Sequence, residues 1–323
     1  MKSIVDVPGI KVGHAQIDDK LTGCTVILAE RKGATAGVDI RGGAPGSRES
    51  ALLAPEKAVD KIHGILLTGG SAFGLDAAAG VMKYLREQRV GFDTGILPVP
   101  IVPAAVIFDF LIGEPGWPDA SQAYSACKSA SSTELKRGNI GAGIGATIGK
   151  VKGPDYMMKS GVGTAYYQFS SGVSLGALVV LNTFGDIRCQ HTGNIIAGAY
   201  DRKNKEFLDT MKVLENNNVN KDKEFSIENT TLVVLATDAH LNKTQAKKIA
   251  ELGQNGLARS LSPVHTMLDG DTVYAISTGD KKINLSLLGN KASEVISEAI
   301  LDSVHSAEMI AETPSLKYIK ANQ

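Results

Sequence analysis

Short apolar runs punctuated by glycine constrain this chain more than any other feature. "CTVILA" (24–29), "HGILLTG" (63–69), "GALVVLN" (176–182), "TLVVLAT" (231–237) and "TVYAIST" (272–278) each have the length of one strand, and several are apolar at consecutive positions. A strand apolar on both faces must be covered on both faces. The cover is written between the runs. "SAFGLDAAAGVMKYLREQ" (71–88), "NKTQAKKIAELGQNGLARSL" (242–261) and "ASEVISEAILDSVHSAEMIAE" (292–312) read as helices. Ile249, Leu252, Leu257 and Leu261 mark an apolar stripe on the second, and Ile296, Ile300, Val304 and Ala307 on the third. Strands alternating with helices predict an α/β fold with sheets flanked by helices. The stretch 201–229 is rich in Asn, Lys, Asp and Glu and reads as a surface excursion. No internal repeat divides the 323 residues, and a single domain is expected.

Charge and composition narrow the function classes. Lys+Arg and Asp+Glu both number 34, so the basic excess typical of a nucleic-acid binder is missing. Cys24, Cys127 and Cys189 are widely spaced, and the six histidines show no paired ligand spacing. Neither a disulfide framework nor a metal site is expected. The start, "MKSIVDVPGIKVGHAQ", lacks the apolar core of a signal peptide, and no run of about 18 apolar residues could cross a bilayer. The expectation is a soluble, cytoplasmic protein with neither nucleic-acid nor membrane partners.

Two glycine-rich stretches invite a phosphate-binding reading. "LLTGGSAFGLDAAAG" runs strand, Gly-Gly turn, helix, which can hold a phosphate or present Ser71 as a nucleophile. The nucleophile turn needs G-x-S-x-G, and position 73 is Phe. "GNIGAGIGATIGKVKG" (138–153) ends like a P-loop, but Ile144 and Val151 stand where that loop needs Gly and Ser or Thr. Both stretches read better as close backbone approach in a sheet. Lys150, among glycines and apolar residues, implies a charge held for a purpose.

Two further motifs carry chemistry. "HTMLDGDTVYA" sets Asp269 and Asp271 just ahead of a strand. Asp-Gly is also a hairpin signal, but carboxylates two residues apart on an extended chain point to one side. "SIENTTLVVLATDA" (226–239) puts Asn229-Thr230-Thr231 where the polar excursion becomes a strand. A neutral threonine hydroxyl is a poor nucleophile and needs an adjacent base. The α-amine of an N-terminal threonine, with an ordinary pKa of about 7.7–8.0, can serve. Breaking Asn229–Thr230 creates that amine. The same hydroxyl can attack the Asn229 carbonyl, giving by N→O acyl shift an ester that water hydrolyses. One residue then accounts for both maturation and turnover.

Taken in order, "VDIRGGAPGSRE", "LLTGGSAFGLDAAAGV", "PAAVIFDF", "GAGIGATIGK", "ENTTLVVLATDA" and "HTMLDGDTVYA" resemble the DmpA-type aminopeptidases over nearly the whole chain. These are autoprocessing N-terminal-nucleophile hydrolases. Asn-Thr at the cut and Asp-x-Asp resemble in particular the branch containing the nylon-oligomer (6-aminohexanoate-oligomer) endo-hydrolases. The resemblance implies stacked β-sheets flanked by helices and cleavage into 1–229 and 230–323. It implies Thr230 as nucleophile, Lys150 as active-site lysine, and Asn182 as the group orienting or stabilising the oxyanion. Asp269 and Asp271 match the acidic pair that positions the nucleophile. It further implies a peptide or oligoamide substrate, no cofactor and a homotetramer. Lys152 and Lys159 are alternatives to Lys150, because the segment from Lys150 to Asn182 is about two residues longer than in that branch. Phe108 stands where the branch has a tyrosine. Two readings of another class stay open: an uncleaved binding protein of the same fold, and a nucleotide-binding enzyme using the glycine-rich runs.

Overall fold

A computed structural model describes residues 2–216 and 229–322. Its longer strands are, in chain order, β1 (Ile10–Ile17), β2 (Thr22–Ala29), β3 (Ala34–Ile40), β4 (Gly64–Thr68), β5 (Val162–Gln168), β6 (Ser174–Asn182), β7 (Thr230–Ala239) and β8 (Thr272–Lys281). Its longer helices are α1 (Ala78–Glu87), α2 (Ala120–Lys128), α3 (Lys243–Ser260) and α4 (Leu285–Ser306). Every residue of β6 and β7 is buried, as two-sided apolar runs require.

The strands form two main sheets. One runs β1-β2-β4 and continues through the short strands Ala104–Val106 and Ser47–Arg48. The other runs β5-β6-β7-β8-β3 and ends on Lys61–Ile62. Within it, β7 and β8 are parallel and the other neighbours antiparallel.

Side-chain alternation along each strand divides the core into layers. Leu232 and Val234 of β7, with Leu178 and Val180 of β6, pack against Ile10, Val12, Ile27, Ile65 and Leu67 of the first sheet. Val233 and Leu235, on the opposite face, pack with Ile249 and Leu257 of α3 and with Ile296 and Ile300 of α4. On the far side of the first sheet, Val26, Leu28 and Leu66 meet Val81 and Leu85 of α1 and Ala123 and Ala126 of α2. The order is helices, sheet, sheet, helices. The helix-to-sheet contact is tight. A Cβ on Gly37 of β3 would sit 2.1 Å from the Lys247 nitrogen, and one on Gly163 of β5 would sit 2.1 Å from the Ala299 oxygen.

Three expected elements shift. The helix expected over 71–88 opens as a 3-10 turn, Ser71–Ala77, before α1 begins. Gly74 is pressed there against the preceding strand's exit, where a Cβ would lie 2.1 Å from the Gly69 oxygen. The helix expected over 292–312 begins earlier, at Leu285, because the Asn284 side chain caps it by accepting the Leu287 N–H at 3.0 Å. It stops at Ser306, since Ala307 is extended and Ala311 and Glu312 are left-handed. The surface excursion holds a small hairpin, Tyr200–Asp201 against Glu206–Phe207, and the helix Thr210–Asn216. Residues 217–228 of that stretch lie outside the described residues.

Candidate active site

Three strand ends converge between the sheets. The antiparallel register of β6 and β7 sets Asn182, the last residue of β6, opposite Thr230, the first of β7. By alternation both share the face of Leu232 and Val180, which looks toward the first sheet. Asn229 bridges Asp269 in parallel, just ahead of the pairing of Leu232 with Thr272 of β8. Thr230 is 5% exposed, and Lys150, Asn182, Asn229, Asp269 and Asp271 are each at 1% or below. Water is therefore thin here, and charges and dipoles act more strongly than at a surface.

The carbonyl ahead of Thr230 is held from two sides. The Thr230 hydroxyl donates to the Asn229 oxygen at 2.5 Å, and the Gly270 N–H donates to the same oxygen at 2.8 Å. The Asn229 N–H donates to the Leu268 carbonyl at 3.0 Å, which fixes the residue before the bond.

The two aspartates have distinct partners. Asp271 Oδ1 accepts the Thr231 N–H at 2.7 Å, and its Oδ2 accepts from His265, through Nδ1 at 2.9 Å and the backbone N–H at 3.2 Å. Asp269 Oδ2 accepts the Thr266 N–H at 2.7 Å, while its buried Oδ1 has no hydrogen-bond partner among the described residues. Burial, and then the Asp271 charge, push the Asp269 carboxyl up to about 6, with Lys150 opposing. The Asp-Gly pair forms no hairpin here. A turn closes instead from the Asp269 N–H to the Thr266 carbonyl at 3.2 Å, and Gly270 runs beside Asn229. The glycine-rich "IRGGAPG" loop backs this turn. The Arg41, Gly43 and Ala44 N–H groups donate to the Asp271, Thr266 and Asp269 carbonyls at 2.8, 3.0 and 3.0 Å. Gly42, at φ +100°, allows that approach.

Of the three nearby lysines, Lys150 is the one bonded to Asn182. Its Nζ donates to the Asn182 side-chain oxygen at 2.9 Å and main-chain oxygen at 3.0 Å. Burial pushes Lys150 down to about 7, against the pull of Asp269 and Asp109. Lys159 is equally buried but spends its ammonium on the carbonyls of Gly143, Ala146 and Ser160, at 3.0, 2.7 and 2.6 Å. Lys152 is exposed and lies over the Tyr156 ring. The Asn182 Oδ1 also accepts the Thr147 N–H at 3.1 Å, and Nδ2 donates to the Phe108 carbonyl at 3.0 Å. The main chain of Phe108 thus reaches the site, while its ring packs edge-on to Phe110.

The glycine-rich stretches are filled by protein. A Cβ on Gly143, Gly145 or Gly149 would lie within 2.4 Å of the backbone of Val162, Leu21 or Ala199. Gly69 is packed on the Asp109 carboxylate and Gly70 on Trp117. The Ser71 N–H donates to the Ile107 carbonyl at 3.0 Å. Among the described residues, no group of three or more His, Cys, Asp or Glu could hold a metal ion. Two further residues packed into this cluster, His265 and Asp109, are not singled out by the sequence reading. Each carried a signal: a histidine six residues before Asp271, and the lone acid of the apolar run "PAAVIFDF".

Residues 2–315 match the description Peptidase family S58. The chain belongs to peptidase family S58. An uncharacterized aminopeptidase of Mycobacterium bovis is 37% identical over 98% of this chain and 97% of its own length. A 6-aminohexanoate-oligomer endohydrolase of a Kocuria species is 31% identical over 92% of this chain and 84% of its own. The L-aminopeptidase D-Ala-esterase/amidase of Ochrobactrum anthropi, described as a variant of the Ntn-hydrolase fold, superposes with a TM-score of 0.72. That match covers 99% of this chain and 92% of the other at 18% identity, and it concerns the fold. As a family S58 member, the protein is an amide-bond hydrolase. No described helix is long and apolar enough to cross a membrane.

Proposed function

We propose that the chain matures by cutting its own Asn229–Thr230 bond and then hydrolyses amides through an acyl-enzyme on Thr230. The observation that carries this reading is the double grip on the Asn229 carbonyl, by the Thr230 hydroxyl at 2.5 Å and the Gly270 N–H at 2.8 Å. In maturation, Thr230 Oγ1 bonds to the Asn229 carbonyl carbon and the C–N bond breaks. The Thr230 nitrogen takes the proton and becomes a free amine. Water then hydrolyses the ester, leaving the Asn229 carboxylate and restoring the hydroxyl. Asp269, buried beside the bond with one oxygen unpartnered among the described residues, is assigned as proton acceptor before the amine exists.

In turnover, the Thr230 amine takes the hydroxyl proton and returns it to the leaving amine of the substrate. The Gly270 N–H, released from Asn229 by the cut, and Asn182 Nδ2 supply donors for the substrate oxyanion. Lys150 holds Asn182 in place and brings positive charge to the site. Asp271 anchors Thr231, and with it the head of β7. The substrate class supported by the names of the relatives is a short peptide or a linear oligoamide.

N-terminal sequencing of the mature protein tests the reading. A fragment beginning Thr-Thr-Leu-Val-Val is expected. An active preparation containing one unbroken 323-residue chain would overturn it.

A further inference from the structure

Asp109 lies at the end of an apolar run, is 2% exposed, and touches neither Thr230 nor the Asn229 carbonyl through any hydrogen bond. Burying a carboxylate at such a place is costly unless its oxygens are satisfied. Here they are. Oδ1 accepts the Gly70 N–H at 2.7 Å and Oδ2 accepts the Thr22 hydroxyl at 2.7 Å. Two glycines make room for it: a Cβ on Gly69 would lie 2.1 Å from Oδ2, and one on Gly145 would lie 2.8 Å from the same oxygen. Asp109 therefore ties together the head of β2, the Gly-Gly turn after β4, and the glycine turn leading to Thr147 and Lys150. Its neighbour Phe108 supplies the carbonyl that holds Asn182 Nδ2. Asp109 is also a charge partner of two buried lysines, Lys159 and, after Asp269, Lys150.

We propose that Asp109 is a positioning residue of the Thr230 site: through its bonds to Gly70 and Thr22 it fixes the Phe108 carbonyl that orients Asn182, the side chain that Lys150 holds, and it adds to the Asp269 charge that Lys150 faces. The proposal rests on the reading given above. Asp269 faces Lys150 with the same sign as Asp109, and Lys159 is the neighbouring cation. Burial pushes the Asp109 carboxyl up to about 6, so near neutral pH it is largely ionised. A purely structural carboxylate could be replaced by its amide with no change in the titration of Lys150. A charge that Lys150 faces could not, because removing it leaves Asp269 as the remaining acid and releases Lys150 further into the neutral form.

The experiment compares Asp109→Asn with the parent enzyme and with Thr230→Ala, using a blocked oligoamide and following kcat, KM and self-cleavage over pH 5–9. Asparagine keeps an acceptor for the Gly70 N–H. The expected result is kcat down by roughly 10- to 100-fold with KM within about twofold, slower self-cleavage, and an alkaline limb of kcat displaced to lower pH. An unmoved limb at unchanged kcat would overturn the proposal. If Asp109→Asn does not fold by circular dichroism, Thr22→Val decides in its place. It removes one donor to the carboxylate and is expected to move the limb the same way by less; no movement overturns the proposal. Thr230→Ala separates the two levels. If it is cut and active, the underlying reading fails; if it is inert while Asp109→Asn behaves as the parent, only the role of Asp109 fails.

Discussion

Gly270 donates its backbone N–H to the Asn229 carbonyl oxygen at 2.8 Å from a position between the two aspartates of the site. The Asp-Gly-Asp motif is thus two acids and one amide donor, and the middle residue has a steric reason to be glycine. A Cβ there would lie 2.8 Å from Thr230 Oγ1 and 3.0 Å from the Ala44 oxygen. The motif and the "IRGGAPG" loop hold each other through main-chain bonds, so the donor is rigid before the reaction starts.

Gly270→Ala is expected to slow self-cleavage and turnover together, by roughly 10- to 100-fold. The added methyl displaces the hydroxyl or the loop, and overpacking of this kind costs about 1–3 kcal/mol, with 1.36 kcal/mol equal to tenfold in rate. Densitometry of freshly expressed protein measures the first rate and a substrate assay the second. Parental rates for both would detach Gly270 from the chemistry.

Thr230→Ala and Thr230→Ser should part company. Alanine removes the oxygen proposed to attack and is expected to leave a folded, inactive chain at the full 323-residue mass. Serine keeps the oxygen but loses the methyl that restricts its rotamer, so cutting continues, more slowly. Intact mass spectrometry over a time course distinguishes them. A cut Thr230→Ala chain would point to another nucleophile.

The helix-covered sheets were legible in the sequence because burial on both faces leaves unbroken apolar runs, as in "LVVL" of β7 and "ALVVL" of β6, while the stacking of two sheets followed from the family resemblance. Thr230 and the acid pair stood out because polar groups at the ends of apolar strands interrupt that pattern, whereas Asn182 came from the family resemblance. The resemblance put Lys150 first and kept Lys152 and Lys159 as alternatives, and the residue pattern alone does not separate Lys150 from Lys159. Both follow glycine-rich runs or turns, both are buried, and only the three-dimensional partners differ: the Asn182 side chain in one case, three carbonyls in the other. Nor could it place Asp109 or His265, whose partners lie across the fold or depend on a left-handed turn at His265.

Lys150 is expected to leave a mark on the pH dependence. Burial holds its pKa near 7, so its charge is present below that pH and is lost above it. In the proposed mechanism the free Thr230 amine must be neutral to act as base, and the ordinary pKa of such an amine is about 7.7–8.0. The expected kcat profile is a narrow bell: an acid limb from the amine and an alkaline limb from Lys150. Lys150→Met is expected to lower kcat by roughly 100-fold or more, the scale of losing control over one oxyanion donor, and to erase the alkaline limb alone. Retention of that limb in the variant would assign it elsewhere.

Asp271→Asn tests the acidic pair at its better-bonded member. The aspartate accepts the Thr231 N–H through one oxygen and two donors of His265 through the other. An amide can accept on one side only, so either β7 loses its anchor next to Thr230 or His265 loses a partner. The lost negative charge also acts on Asp269, whose carboxyl Asp271 helps to hold up near 6. Without it the Asp269 pKa falls toward the ordinary carboxylate range, and Asp269 becomes a weaker proton acceptor. Self-cleavage is therefore expected to slow by at least about tenfold, and its acid limb to move to lower pH. His265→Gln removes the imidazole but leaves both acids charged; it is expected to slow cutting less and to leave that limb nearer its parental position. Cleavage time courses between pH 4 and 8 on the two variants supply the comparison, and equal behaviour of both with the parent would reduce the pair to a scaffold for the Asp269–Asp271 turn.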